Sequence, residues 1–271
     1  VSTSVKDALD SALVALTASG VGSPRLDAEV LLAHALGTDR TALFLRPDAP
    51  VTGDAVRIFR DAVRRRSVLR EPVAYITGTK GFRHLDLHVD ARVLIPRPET
   101  EHLVEAALGL PHGARVVDVG TGSGAVALAL KHERPDLDVH ATDLSEDALQ
   151  VAYANAQRLG LRVTFHHGDL LARTPDVDAV LSNPPYVEDD ARLAPEIMRH
   201  EPATALFAGP DGLDVVRRLI PAAVARGVAM IALEIGAGQA DRTRALAPDG
   251  WRTAVHPDLA GIDRVVVLCR P

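Results

Sequence analysis

Cysteine is almost missing from these 271 residues: Cys269 stands alone. No internal disulfide can form, and a single thiol near a strand end reads as packing. Long apolar runs are missing too; the longest reach about ten residues, well short of the roughly 20 that a membrane-spanning helix needs. No charged-then-apolar leader opens the chain, so a cytoplasmic protein without a membrane partner is expected. Lysine is scarce, with only Lys6, Lys80 and Lys131. The net charge is −6, which speaks against the clustered positive charge that direct nucleic-acid binding uses. The one dense basic run, Arg64-Arg65-Arg66 with Arg70, reads as a solvated helix face or a set of structural ion-pair partners. What is present is ordinary for a globular protein: 47% of residues are hydrophobic, enough to bury a sizeable core in one large domain or in a standard domain plus a small one.

The first seventy or so residues read as short helices. Val5, Leu9, Leu13 and Leu16 repeat at helical spacing. Ser23 caps a second helix with Pro24 at its first position; Leu26, Val30, Leu31 and Ala35 form its stripe and Gly37 its stop. Thr52 is expected to cap a third, carrying Val56, Phe59 and Val63. A β-rich connector follows from about Gly78 to Ile95, where Phe82, Leu85, Leu87 and Val89 alternate. Beyond Glu101 strands and helices alternate, with strands expected at Arg115–Val119, Asp138–Asp143, Arg162–His166, Ala179–Ser182 and Val228–Glu234. Two more, Trp251–Val255 and Arg264–Leu268, close the chain. Helix Glu146–Leu159 has Ser145 as cap, two acids in its first turn and Gly160 as its stop. Strands separated by helices imply an α/β fold with a mostly parallel sheet covered on both faces.

Val116-Val117-Asp118-Val119-Gly120-Thr121-Gly122-Ser123-Gly124 runs from an apolar strand into a glycine turn and then a helix. Glycines there let the backbone turn tightly and a ligand approach without a Cβ in the way. Asp143 ends the next strand, where a carboxylate can accept from both ribose hydroxyls of an adenosyl group. The pattern also admits a nicotinamide dinucleotide. A nucleoside-triphosphate loop is disfavoured, because no lysine follows the glycines.

Asn183-Pro184-Pro185-Tyr186 sits after the fourth strand, on the carboxyl edge where open α/β sheets bind ligands. An amide or aromatic amino nitrogen is a poor nucleophile because its lone pair is delocalised. Two acceptors on its N–H groups, the Asn183 side-chain carbonyl and the Pro184 backbone carbonyl, would favour a pyramidal nitrogen aimed at an electrophile. Consecutive prolines hold that backbone stiffly, and Tyr186 can lie flat against a planar group. The chemistry then needs positioning and preorganised dipoles more than a strong base.

Several segments together resemble the HemK/PrmC protein-(glutamine-N5) methyltransferases. They are Glu71-Pro72-Val73-Ala74-Tyr75-Ile76-Thr77-Gly78, Leu94-Ile95-Pro96-Arg97-Pro98-Glu99-Thr100-Glu101, the Val116–Gly124 loop, the Ser182–Tyr186 motif, Glu201-Pro202, Asp211-Gly212-Leu213, and Asp258-Leu259-Ala260-Gly261-Ile262-Asp263-Arg264. The Arg97–Glu101 stretch is the most specific of these and separates the chain from ribosomal-protein relatives.

The resemblance implies a seven-stranded, Rossmann-like class I methyltransferase sheet over 99–271, a small N-terminal helical recognition domain over 1–75, and a β-hairpin connector over 76–98. It implies S-adenosyl-L-methionine as cofactor, with S-adenosyl-L-homocysteine as product. The protein substrate would be a class I peptide chain release factor, methylated on the glutamine of its Gly-Gly-Gln motif. Cofactor contacts carry over to Gly120, Thr121, Gly122, Ser123, Gly124, Asp143, Asp169 and Asn183. Leu170 takes the place beside the adenine where family members often have an aromatic residue. Asn183, Pro184, Pro185 and Tyr186 would hold the glutamine, with Asn183, Pro184 and Tyr186 as the catalytic set. A monomer is expected.

His166-His167 has no further ligand at metal spacing, so no metal is expected. Ser123 lacks the setting of a nucleophile elbow, and Trp251 reads as packing. Glu99 and Glu101 could approach the cofactor or could tie the connector to the helix that follows. Adenine-N6 methylation of nucleic acid, nicotinamide oxidoreduction and a non-enzymatic scaffold are the alternatives in other classes.

Overall fold

The computed structural model describes residues 3–271. The chain divides into two units: Val1–Thr79 with Leu193–His200, and Lys80–Arg192 with Glu201–Pro271. The connector hairpin, paired from Thr79–Phe82 and Leu85–His88, thus falls almost wholly in the second unit. Among the described residues no helix is long and apolar enough to cross a membrane.

The first unit is helical, with helices Val5–Ala18, Pro24–Leu36, Arg40–Leu45, Asp54–Ser67 and Val73–Thr77. Their shared core includes Val5, Leu9, Leu16, Leu31, Leu32 and Phe59. Two expected caps differ in detail. Ser23 occupies the cap position but makes no capping bond; its hydroxyl donates to Asp27 Oδ1 at 3.0 Å. Gly53, at φ 61°, caps helix Asp54–Ser67 in place of Thr52, because the entering backbone has a positive φ there and glycine adopts it without a Cβ clash. The arginine run is largely structural. Arg66 is buried and its Nε meets Asp27 Oδ2 at 2.7 Å, Arg65 pairs with Glu71, and Arg70 donates to Glu196 at 2.9 Å. Charges this deep are stable only when paired. Helix Pro24–Leu36 therefore turns Asp27 and Glu29 inward along with its leucines, and Leu26, placed on the expected stripe, is exposed.

The second unit is built on seven strands: β1 (Arg115–Val119), β2 (Asp138–Asp143), β3 (Thr164–His167), β4 (Ala179–Ser182), β5 (Met230–Glu234), β6 (Arg252–Pro257) and β7 (Asp263–Cys269). Their order is β6-β7-β5-β4-β1-β2-β3. The pairs from β3 to β5 are parallel, and β7 runs antiparallel to both β5 and β6. Alternate residues of the central strands feed two cores: Val116, Leu181 and Ala232 enter one, and Val117, Val180 and Leu233 the other. Continuous apolar strands are the signature of a sheet covered on both faces. Expected and observed strand ends agree to within two residues, β3 starting later because it is a half-exposed edge. Trp251 packs partly buried on the second core. Helix Glu146–Leu159 has the expected limits, with Ser145 Oγ accepting from Ala148 N and Gly160 left-handed at its end.

Strand order reverses between β1 and β4, and such a switch point leaves a crevice at the carboxyl edge. Register sharpens this. Val119 pairs with Thr142 on one side and Ser182 on the other, and Ser182 pairs with Leu233. One residue further along each strand stand Asp143, Gly120, Asn183 and Glu234, in that order across the sheet.

Candidate active site

The crevice holds a cavity of about 440 Å³, within the usual size range of small-molecule sites. The loop after β1 forms its floor. Gly120 and Gly122 have φ of 74° and 56°, and a Cβ added to either would meet nothing within 4 Å. Their small size keeps space open on the cavity side. Gly124 differs: a Cβ there would lie 2.9 Å from Leu128 Cδ1 and 3.3 Å from Ala152 Cβ, so this glycine lets helix Ala125–Glu133 pack closely. The three positions thus divide between leaving room for a ligand and joining helix to helix, which is how a mononucleotide-type cradle is built. Thr121 and Ser123 are buried and line the same cavity.

Asp143 organises the loop from the end of β2. Its Oδ2 accepts from Gly122 N at 2.9 Å and its Oδ1 from Ser145 N at 2.9 Å. Burial pushes its pKa up, against these backbone N–H groups and that of Leu144. Each oxygen retains a second lone pair, which suits it to a diol at the cavity wall. Asp169 and Leu170 also line the cavity; Asp169 is ion-paired to Arg218, and Leu170 is left-handed at φ 50°. The exposed Leu144 adds a second aliphatic wall. The open glycine turn, the acid at the β2 end and the aliphatic walls fit an adenosyl group.

On the other side stand Asn183, Pro184 and Pro185. The Asn183 amide nitrogen donates to Thr100 Oγ1 at 3.1 Å, so its Oδ1 is the end left for a ligand. The motif is braced from behind. Gln239, buried, donates to the Tyr186 carbonyl at 3.0 Å while accepting from Gly236 N at 2.8 Å. A Cβ on Gly212 would come within 2.2 Å of the same carbonyl. Tyr186 itself is set back from the cavity wall: it is not among the lining residues, and its hydroxyl donates to Glu234 Oε1 at 3.4 Å. Burial beside that carboxyl carries the phenol up to about 12. The sequence reading placed this ring flat against a planar substrate; in the structure its hydroxyl is turned to Glu234.

Several residues in and around the cavity carried no role in the sequence reading. Asp118 is wholly buried, accepts from Thr121 Oγ1 at 2.6 Å and from Ala127 N at 3.3 Å, and is carried by burial up to about 7. Thr100, between the two acids that drew attention, is the one that faces the cavity. Glu101 instead accepts from Arg83 N at 3.0 Å and so ties the hairpin to its following helix. Glu201 holds the Leu94–Pro96 wall in place, accepting from Ile95 N at 3.1 Å and Arg97 Nη2 at 2.6 Å. Asn155, fully buried, donates to His88 O at 2.9 Å and Ser123 O at 3.0 Å, joining the hairpin to the glycine turn. The His166 ring stacks on His140 with Nε2 2.9 Å from Nδ1. Among the described residues no group of three or more His, Cys, Asp or Glu could hold a metal ion.

Comparison with known proteins agrees with this layout. Residues 7–78 match the family described as PrmC N-terminal domain, and residues 98–211 match the methyltransferase small domain. A release factor glutamine methyltransferase of Koribacter versatilis is 43% identical over 98% of this chain and 99% of its own length. One of Deinococcus radiodurans is 43% identical, with 97% of each chain covered. The crystal structure of a release factor-specific protein-(glutamine-N5) methyltransferase from Alicyclobacillus acidocaldarius is 35% identical, over 65% of this chain and 94% of that one, with a TM-score of 0.41. With 43% identity to two such relatives along nearly the whole of both chains, the protein described here belongs to the release factor glutamine methyltransferase family.

Proposed function

We propose that this chain transfers a methyl group from S-adenosylmethionine to the side-chain amide nitrogen of the glutamine in the Gly-Gly-Gln motif of class I release factors. The observation that carries the reading is that Asn183 lines the same cavity as the glycine turn and Asp143, with its amide NH2 already engaged by Thr100. S-adenosylmethionine, when bound, supplies a methyl group on a positively charged sulfur.

Gly120 to Gly124 and Asp143 would hold its adenosyl and amino-acid parts, with Asp169, Leu170 and Leu144 around the base. Asn183 Oδ1 and the Pro184 carbonyl would each accept one N–H of the incoming amide. Two acceptors draw the nitrogen out of conjugation and aim its lone pair at the methyl carbon. The methyl would pass to that nitrogen as the S–C bond breaks, its electron pair remaining on sulfur, and the extra proton would leave the nitrogen to solvent. Fixed acceptors stabilise the charge that develops on nitrogen without having to reorganise, which is where preorganised sites gain most of their rate.

The test is to incubate the chain with S-adenosylmethionine and a purified release factor, then locate the methyl group by mass spectrometry. One methyl on the Gly-Gly-Gln glutamine is expected. An unmodified glutamine would reject the proposal, and label on DNA or RNA adenine in its place would redirect it to the nucleic-acid reading.

A further inference from the structure

Three stretches of chain far apart in sequence are bonded to one another around the acceptor motif. The first, 94–100, meets the second at Thr100, whose Oγ1 accepts from Asn183 Nδ2 at 3.1 Å. The second, 183–187, meets the third through Val187, which donates from N to Leu206 O at 2.8 Å and accepts from Ala208 N at 2.9 Å. The third, 201–208, returns to the first through Glu201. Its Oε2 accepts from Ile95 N at 3.1 Å and its Oε1 from Arg97 Nη2 at 2.6 Å. Three seams thus close one circuit. The last is the costly one, because the Glu201 side chain is only 1% exposed and a carboxylate that deep is stable only when paired.

What the circuit shows to the cavity is neutral. Pro96, Thr100, Asn183, Pro184, Pro185 and Pro202 are on its lining, while the ionisable residues of the cavity wall all come from other parts of the chain. Proline has no N–H, so at four of these positions the backbone has only a carbonyl to offer. The side-chain donors nearest to hand are already used: the Asn183 NH2 on Thr100, and Arg97 Nη2 on Glu201. A primary amide brings two N–H donors to such a surface, whereas an ionised carboxylate can only accept. The amide is matched there. The carboxylate would lose its water and find nothing in exchange.

We propose that Glu201 and Arg97 are positioning residues that close this circuit into a neutral collar, and that the collar selects an uncharged NH2-bearing side chain over a carboxylate. The proposal rests on the glutamine-methylation reading and adds to it a basis for the choice of acceptor. It also gives the buried Glu201 a reason to be there: each oxygen holds a different residue of the opposite wall, which an apolar side chain of the same size could not do.

The test uses the full chain loaded with S-adenosylhomocysteine and two end-blocked peptides, Gly-Gly-Gln and Gly-Gly-Glu, titrated by NMR. The wild type is expected to bind the glutamine peptide roughly tenfold more tightly or better, the scale of leaving one buried polar group unmatched. Glu201→Gln opens the Arg97 side of the seam and should narrow that preference. With a release factor as substrate, the same variant should raise KM about tenfold, the scale of one lost charged hydrogen bond. Its affinity for S-adenosylmethionine and its far-ultraviolet spectrum should hold. Arg97→Met/Glu201→Gln removes both charges, so neither is left buried alone, and it should match the single variant. A purely structural role would lower the melting temperature and leave the preference intact. Full preference in both variants, equal binding of the two peptides by the wild type, or binding of neither would overturn the collar. A preference that narrows as stated, in a wild-type enzyme that methylates no release factor, would count against the functional reading alone.

Discussion

Asn183 and Asp143 face one cavity but have separable duties, and single substitutions should show it. On the proposed mechanism Asn183→Ala removes an acceptor used as the new bond forms, so turnover should fall about 10²–10³-fold, as when other preorganised polar contacts are removed. Cofactor affinity, measured by calorimetry, should hold. Asp143→Ala should do the reverse and weaken cofactor binding, because it removes the bond to Gly122 N as well as the proposed ribose acceptor. An unaltered dissociation constant would take Asp143 out of the site. At this scale the sequence was readable where chemistry is contiguous: the glycine turn and the Asn-Pro-Pro-Tyr motif each carry their pattern in a few neighbouring residues. Thr100, Glu234 and Gln239 were not readable that way. A threonine, a glutamate and a glutamine gain their meaning only from burial and from partners 48 to 83 positions away in the chain.

Among elements, strand ends and helix limits were legible where local signals close both sides, as Ser145 and Gly160 do for helix Glu146–Leu159. They were less so where tertiary packing decides. The apolar stripe expected on helix Pro24–Leu36 gives way to a face that includes the buried acids Asp27 and Glu29, because Arg66 arrives 39 positions later in the chain to pair with Asp27. The bracing of the tetrapeptide gives an element-scale prediction. Gly212 is left-handed at φ 70°, and a methyl there would press on the Tyr186 carbonyl. Gly212→Ala should therefore shift the whole motif and lower kcat while the far-ultraviolet spectrum stays unchanged. Wild-type kcat in that variant would show that the motif does not depend on this support.

The molecule as a whole carries two carboxyls, Asp118 and Glu234, that burial moves up to about 7. A raised carboxyl binds its proton more tightly folded than unfolded. Its contribution to stability is complete below the ordinary values of 3.8 and 4.5 and is lost as pH rises through about 7. Paired surface acids act oppositely: Asp90, held at about 2 by Arg92, contributes at higher pH and loses its contribution as pH falls toward that value. The melting temperature should accordingly drop by a few degrees between about pH 5.5 and about pH 8, the size of a one- to two-kcal/mol change for a chain of this length. Asp118→Asn should shrink the drop. A flat profile in the unsubstituted protein would refute this account of the two acids.

The excursion of Leu193–His200 into the first unit has a practical consequence for dissecting the protein. Glu196 in that stretch is held by Arg66 and Arg70, and His200 by the Leu69 carbonyl at 2.9 Å. The polypeptide is stitched, not beaded. Cutting it after Thr79 would strand a six-residue helix without its arginines, so a fragment starting at Lys80 would begin life with a loose thread, and shortening the gene from its front would disturb both halves.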